Sequence, residues 1–186
     1  MRNRKSVVSL LIAAGVVVLF AWLMRTRAPS KPSGLVESGA ALVGPADIYP
    51  DLGRTPGAIN PDITQGNIRK TICNPRWSTR SIRPRVSYTH RLKVQQIAEY
   101  GYTRSRLRDY EEDHFIPLEL GGNPTDPRNL WPEPYKASIP DGGARTKDKV
   151  ETYLHAEVCS GSLTLEQAQR EITEDWYRVY TTSVPH

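Results

Sequence analysis

An uncharged run of 18 residues, Val7 to Met24, constrains this chain more than any other feature. As a helix it would extend roughly 27 Å, close to the thickness of a bilayer core. Arg2, Arg4 and Lys5 precede it, and Arg25 and Arg27 follow. A cleaved signal peptide shares the basic start, but its apolar region is about 7–15 residues long and ends in a small-x-small site. Here the run is longer and ends in Trp22-Leu23-Met24-Arg25. The expectation is an uncleaved transmembrane helix within residues 1–25, a single-pass anchor in the cytoplasmic membrane with the remainder outside the cytoplasm. Secretion after cleavage is the alternative.

Residues 26–56 are rich in Pro, Gly, Ala and Ser, lack amphipathic periodicity and read as a linker. Residues 57–186 remain for one domain of ordinary size. Its two cysteines, Cys73 and Cys159, stand near opposite ends. Outside the cytoplasm they are expected to pair; the alternative is two buried thiols that pack as small apolar groups. Two cysteines cannot by themselves build a zinc site.

The net charge of +5 hides an asymmetry. Residues 60–110 carry 11 Lys and Arg against three acids, whereas residues 111–186 carry seven against 14. The basic half suits a phosphate backbone, and equally an anionic lipid surface.

Along the chain, Asn60-Pro61-Asp62 has the form of a helix start, with Ile63, Ile68 and Ile72 on its buried side. Arg76 to Arg85 reads as a basic loop holding Trp77, a residue that can stack on a base or pack on the domain. Ser87 to Tyr100 reads as a helix stopped by Gly101, with Thr89 as its cap. Arg104, Arg106 and Arg108 alternate on what would be one face of an extended segment, and they are the first choice for phosphate contacts. A helix from Gly143 to Val158 follows from Val150, Tyr153, Leu154 and Val158 at helical spacing. Thr164-Leu165-Glu166-Gln167 is a capping-box pattern opening a last helix through Ala168, Ile172 and Trp176.

Between these helices lies the stretch that carries chemistry. Tyr110 to Phe115 is a short strand ending in Glu112-Asp113-His114, and Asn129 to Trp131 is a second strand. Ile116-Pro117-Leu118, Gly121-Gly122 and Asn123-Pro124 connect them with turn formers. Glu111 and Glu112 read as solvated charges, and His90, His155 and His186 as incidental.

Asp113-His114, Ile116-Pro117-Leu118, Gly121-Gly122 and Asn129-Leu130 together resemble the HNH endonucleases, the ββα-metal nuclease superfamily, over Tyr110 to Glu151. The Asn-Leu-Trp-Pro-Glu segment and Lys147-Asp148 are similar to a group of secreted or membrane-anchored bacterial HNH-like proteins. The resemblance implies an α+β fold: a small ββα-metal hairpin-helix core with flanking helices. It implies hydrolysis of nucleic-acid phosphodiester bonds, DNA first, leaving 5′-phosphate and 3′-hydroxyl ends. His114 would be the general base, Asp113 a ligand to a divalent metal, Mg²⁺, and Asn129 the residue that ties the hairpin and orients the His114 loop. The family pattern ends in a histidine ligand on the following helix. No histidine occurs between His114 and His155, and Ala144 stands in that region, so Asp148 is the expected substitute ligand and Glu151 the other candidate. Two alternatives stay open: a degenerate HNH-like module that binds DNA or another anionic polymer, and a membrane-tethered interaction domain.

Overall fold

The architecture was analysed in a computed structural model, which describes residues 47–102 and 107–185. The expected apolar helix, the linker up to residue 46, and Arg104 and Arg106 lie outside the described residues. Among the described residues no helix is long and apolar enough to cross a membrane.

The fold is α+β: helix α1 (Val86–Glu99), an antiparallel hairpin of β1 (Tyr110–His114) and β2 (Leu130–Pro134), then helices α2 (Ala144–Ser160) and α3 (Leu165–Ser183). Short 3-10 turns precede α1 and β1 and punctuate the hairpin loop. The folded region begins earlier than the sequence suggested. Ile48 is 1% exposed, its carbonyl accepts from Trp176 Nε1 at 2.9 Å, and Thr55 is fully buried. Residues 47–56 therefore pack with the folded domain through Ile48, Tyr49 and Thr55 rather than forming a linker, although residues 51–54 are exposed.

The expected helix after Asn60 is instead a chain of turns. Asn60 Oδ1 accepts from the Asp62 amide, Asn67 Oδ1 accepts from the Thr64 amide, and Asn67 Nδ2 donates to the Asp62 carbonyl. These side chains satisfy backbone groups locally and compete with a helical ladder. The spacing of Ile63, Ile68 and Ile72 is also too irregular for one helical stripe, yet all three are buried.

The main core lies between this turn segment, α2 and α3. Val150, Leu154 and Val158 of α2 meet Ala168, Ile172 and Trp176 of α3, with Ile48, Ile63, Ile68 and Ile72 closing over them. Helix α3 opens with the capping box of Thr164 and Gln167. It is interrupted at Asp175, whose backbone is extended and whose carboxylate accepts from the Arg178 amide at 2.9 Å and from Tyr49 Oη at 2.6 Å. Asp175 thus acts as an internal cap that restarts the helix. Trp77 is partly buried and packs against this core.

Cys73 and Cys159 form a disulfide that ties the turn segment to the end of α2 across 86 residues of chain. A loop of that length contributes about 4–5 kcal/mol on the chain-entropy account. The Cys73→Ser/Cys159→Ser double variant is accordingly expected to lose about 4 kcal/mol of unfolding free energy in a urea titration. A loss below about 1 kcal/mol would show that the reduced chain is already restrained by its packing.

Candidate functional site

Strand β1 sends alternate side chains to opposite faces. Glu111 and Asp113 lie on one face, Glu112 and His114 on the other. This alternation separates Asp113 and His114, the expected metal ligand and base. Asp113 faces α2, whereas His114 opens on a cavity bounded by α1.

The Asp113 side is built around Lys147, a residue of α2 with no solvent exposure. Its Nζ donates to Asp113 Oδ2 at 2.8 Å, to the His114 carbonyl at 3.0 Å and to Glu151 Oε1 at 2.5 Å. Glu133 of β2 stands 3.5 Å away. Burial alone would raise Asp113, but the Lys147 ammonium together with the hydrogen bonds from Lys147 and Glu133 and the field of His114 outweighs it and holds the carboxyl well below its usual range. Burial alone would lower Lys147, but Asp113, Glu133 and Glu151 outweigh it and hold the ammonium charged. Burial pushes Glu151 up to about 8 and Glu133 well above the ordinary glutamate range. As a carboxylate, buried Glu133 leaves both oxygens without a hydrogen-bond donor. As an acid it donates to Asp113, so the protonated form is the one that fits.

His114 is held from the far end of the hairpin. Its Nε2 lies 3.0 Å from the Pro124 carbonyl. A carbonyl only accepts, so Nε2 carries the proton and Nδ1 keeps its lone pair. Burial lowers the imidazole below its usual range, against the opposing charge of Asp113. The ring is thus neutral at physiological pH and basic at Nδ1.

Asn129, fully buried, locks the loop that carries Pro124. Its Oδ1 accepts from the Ile116 amide at 2.9 Å, and its Nδ2 donates to the Ile116 and Asn123 carbonyls, both at 3.0 Å. Gly121 has φ 77°, and a Cβ on Gly122 would overlap the Ile116 carbonyl and crowd Asn129 Nδ2. The Gly-Gly pair is therefore a requirement of this lock: one residue for its left-handed backbone, the next for close approach. Asn129 is a positioning residue.

The cavity beside His114 has a volume of about 260 Å³ and is lined by Arg83, His90, Lys93, Glu112, His114 and Tyr135, among others. Glu112 had read as a solvated charge. Both its carboxylate oxygens are buried without a hydrogen-bond partner, and burial pushes it up to about 8. The signal that could have found it is the two-residue spacing to His114, which puts both on one strand face.

The remaining expected site residues fall elsewhere. Asp148 is 47% exposed and pairs with Arg145 at 3.3 Å. Arg108 is exposed within the 3-10 turn ahead of β1 rather than on an extended segment. Glu151 does reach the Asp113 side, but as a partner of Lys147. As arranged, Asp113 and Asp148 do not fit a divalent ion between them, because a fixed ammonium already sits 2.8 Å from Asp113. A second grouping, Cys73, His155 and Cys159, brings three potential metal-binding atoms together, but both sulfurs are spent in the disulfide. The chain matches no family model, no curated protein and no solved structure.

Removing the Lys147 ammonium leaves Asp113 buried and unpaired, so Lys147→Met is expected to cost about 3–5 kcal/mol in equilibrium unfolding. A cost near zero would mean that the carboxyls rearrange or take up protons freely. Glu112 gives a pH signature. Its folded pKa of about 8 lies above the ordinary 4.5, so the folded state binds the extra proton. Its stabilising contribution is full below about pH 4.5 and is lost as pH rises towards 8. Thermal unfolding of Glu112→Gln should therefore show a smaller fall in Tm between pH 5 and pH 8 than the unchanged chain. Parallel curves would refute the burial of this carboxyl.

Proposed function

We propose that this chain is an endonuclease hydrolysing nucleic-acid phosphodiester bonds, with neutral His114 as the general base. The observation that carries the reading is the ring itself: Nε2 is tied to the Pro124 carbonyl, and burial keeps the imidazole unprotonated beside a cavity with cationic residues on its wall. The order hairpin then helix, with Asn129 and the glycine pair holding the loop, supports the ββα-metal architecture that the sequence resemblance implies. In the reaction, Nδ1 takes a proton from water as the oxygen attacks phosphorus; the bond to the 3′ oxygen breaks, and that oxygen keeps the electron pair and takes a proton from solvent to leave as a hydroxyl. A neutral base with a pKa near or below 7 suits this work and supplies about 10²–10⁴-fold. No step is assigned to a metal ion, because Lys147 holds the carboxylate that the resemblance would give to Mg²⁺. The disulfide supports a domain that works outside the cytoplasm, with the N-terminal apolar run as its membrane anchor.

One observation favours a second reading. The paired state of Asp113 is also what a catalytically silent member of the same architecture would carry, leaving a module that binds DNA at the cell surface.

Plasmid nicking by the oxidised full-length chain separates the two. Wild-type protein is expected to convert supercoiled plasmid to open circles, and His114→Ala to slow this at least about 100-fold. Assays with Mg²⁺ and with a chelator ask whether a cation is recruited as well. Binding without nicking, identical in His114→Ala, would leave only the module.

A further inference from the structure

The sequence offered Arg104, Arg106 and Arg108 as phosphate contacts. The cavity that receives His114 is instead walled by a different basic set from the turn before α1 and from α1 itself. Arg83 lies between the 3-10 turn Thr79–Ser81 and Pro84, with its amide fixed to the Thr79 carbonyl at 2.8 Å. Its side chain is exposed at the cavity wall, and its charge reaches both His114 and Glu119. Among the described residues its guanidinium makes no ion pair and no hydrogen bond.

The neighbouring charges are already spoken for. Lys93 donates to the Leu107 and Tyr110 carbonyls, both at 3.0 Å, and its charge bears on Glu112. Arg145 offsets Glu111 in the same way. Lys93 is thus held by backbone carbonyls and Arg145 by Asp148, and Arg83 is left as the cation of this wall whose head group has no hydrogen-bond or ion-pair partner among the described residues. Val86, His90 and Lys93 follow at helical spacing along the face of α1 turned to the cavity. Helix α1 starts there without a side-chain cap and without an acid in its first turn, and Val86 is 82% exposed. The N–H groups of that first turn add partial positive charge to the one wall that already carries the free arginine.

We infer that this wall is the substrate clamp of the nuclease: Arg83 grips a polynucleotide phosphate at the cavity mouth, supported by Lys93 and the open start of α1, and holds the phosphodiester against His114. The inference rests on the nuclease reading and names its substrate-binding residues. A guanidinium can hold two phosphate oxygens at once, which fixes orientation as well as affinity. Arg108, outside the cavity, has no part in the clamp.

The test uses the full-length oxidised chain and a fluorescein-labelled duplex oligonucleotide. Binding is followed by anisotropy at several salt concentrations in the His114→Ala background, and nicking is followed separately with His114 intact. Arg83→Ala is expected to weaken binding about tenfold and to flatten the slope of log affinity against log salt by about one phosphate contact. It should raise KM in nicking with little change in kcat, and Arg83→Lys should recover part of the loss. The Arg83 side chain makes no hydrogen bond or ion pair within the described fold, so thermal unfolding of Arg83→Ala should match wild type. Arg108→Ala should leave binding and salt slope unchanged. If nicking depends on His114 but Arg83→Ala leaves KM and salt slope untouched, the clamp is overturned and the nuclease reading stands. If binding depends on Arg83 while no variant nicks, the clamp is supported and the catalytic reading is lost.

Discussion

A single buried ammonium organises the centre of this domain. Lys147 is fully enclosed and spends its three donors on Asp113, the His114 carbonyl and Glu151. An ammonium carries three N–H groups and no acceptor, so the set is complete. Two of the three acceptors belong to consecutive residues at the end of β1. The lysine therefore fixes the strand end against α2, and with it the height at which His114 projects from the other face. Burying this charge is costly; the Asp113 carboxylate offsets the cost, and Glu133 and Glu151, which burial pushes towards their protonated forms, surround the ammonium without leaving a surplus of buried negative charge. The strand end and α2 are in this way one electrostatic unit.

The opposite face of the hairpin is organised by neutral hydrogen bonds. Asn129 and Gly122 bring the two ends of the loop to contact distance, and Pro124 receives the His114 ring from that loop. One side of β1 is thus held by charge and the other by amides. Helix α1 leans on the second side through Gln96, whose Nε2 donates to the Leu130 carbonyl at 2.9 Å. Arg83 reaches the cavity from the turn ahead of this helix, although it lies 31 positions before His114 in the chain.

Local signals mark the helices and the hairpin in the chain itself. The period of Val150, Leu154 and Val158 marked α2, the Thr164–Gln167 pattern marked the start of α3, and Gly121-Gly122 marked the loop that both residues close. The turn segment after Asn60 was misread because its asparagines satisfy the backbone with their own side chains, a competition that apolar spacing does not register. Asp113 and His114 are adjacent in the chain, yet a strand places neighbours on opposite faces, so adjacency does not make them one site. The role of Lys147 depends on which carboxyls surround it in space, and Glu133 and Glu151 arrive from β2 and α2. Arg83 shows the same limit: that its guanidinium has no partner is a property of the packing around it.

The alternation along β1 also sets what the hairpin can tolerate as its length changes. Shifting the strand by one position would turn the imidazole towards a lysine with no free donor and send an aspartate into the basic cavity. Helix ends and surface loops of this domain can absorb insertions, but the five residues of β1 have a parity that must be kept. The glycine and asparagine lock is therefore a device for keeping count, and a strand this short would otherwise have little besides its charged face to hold it in frame.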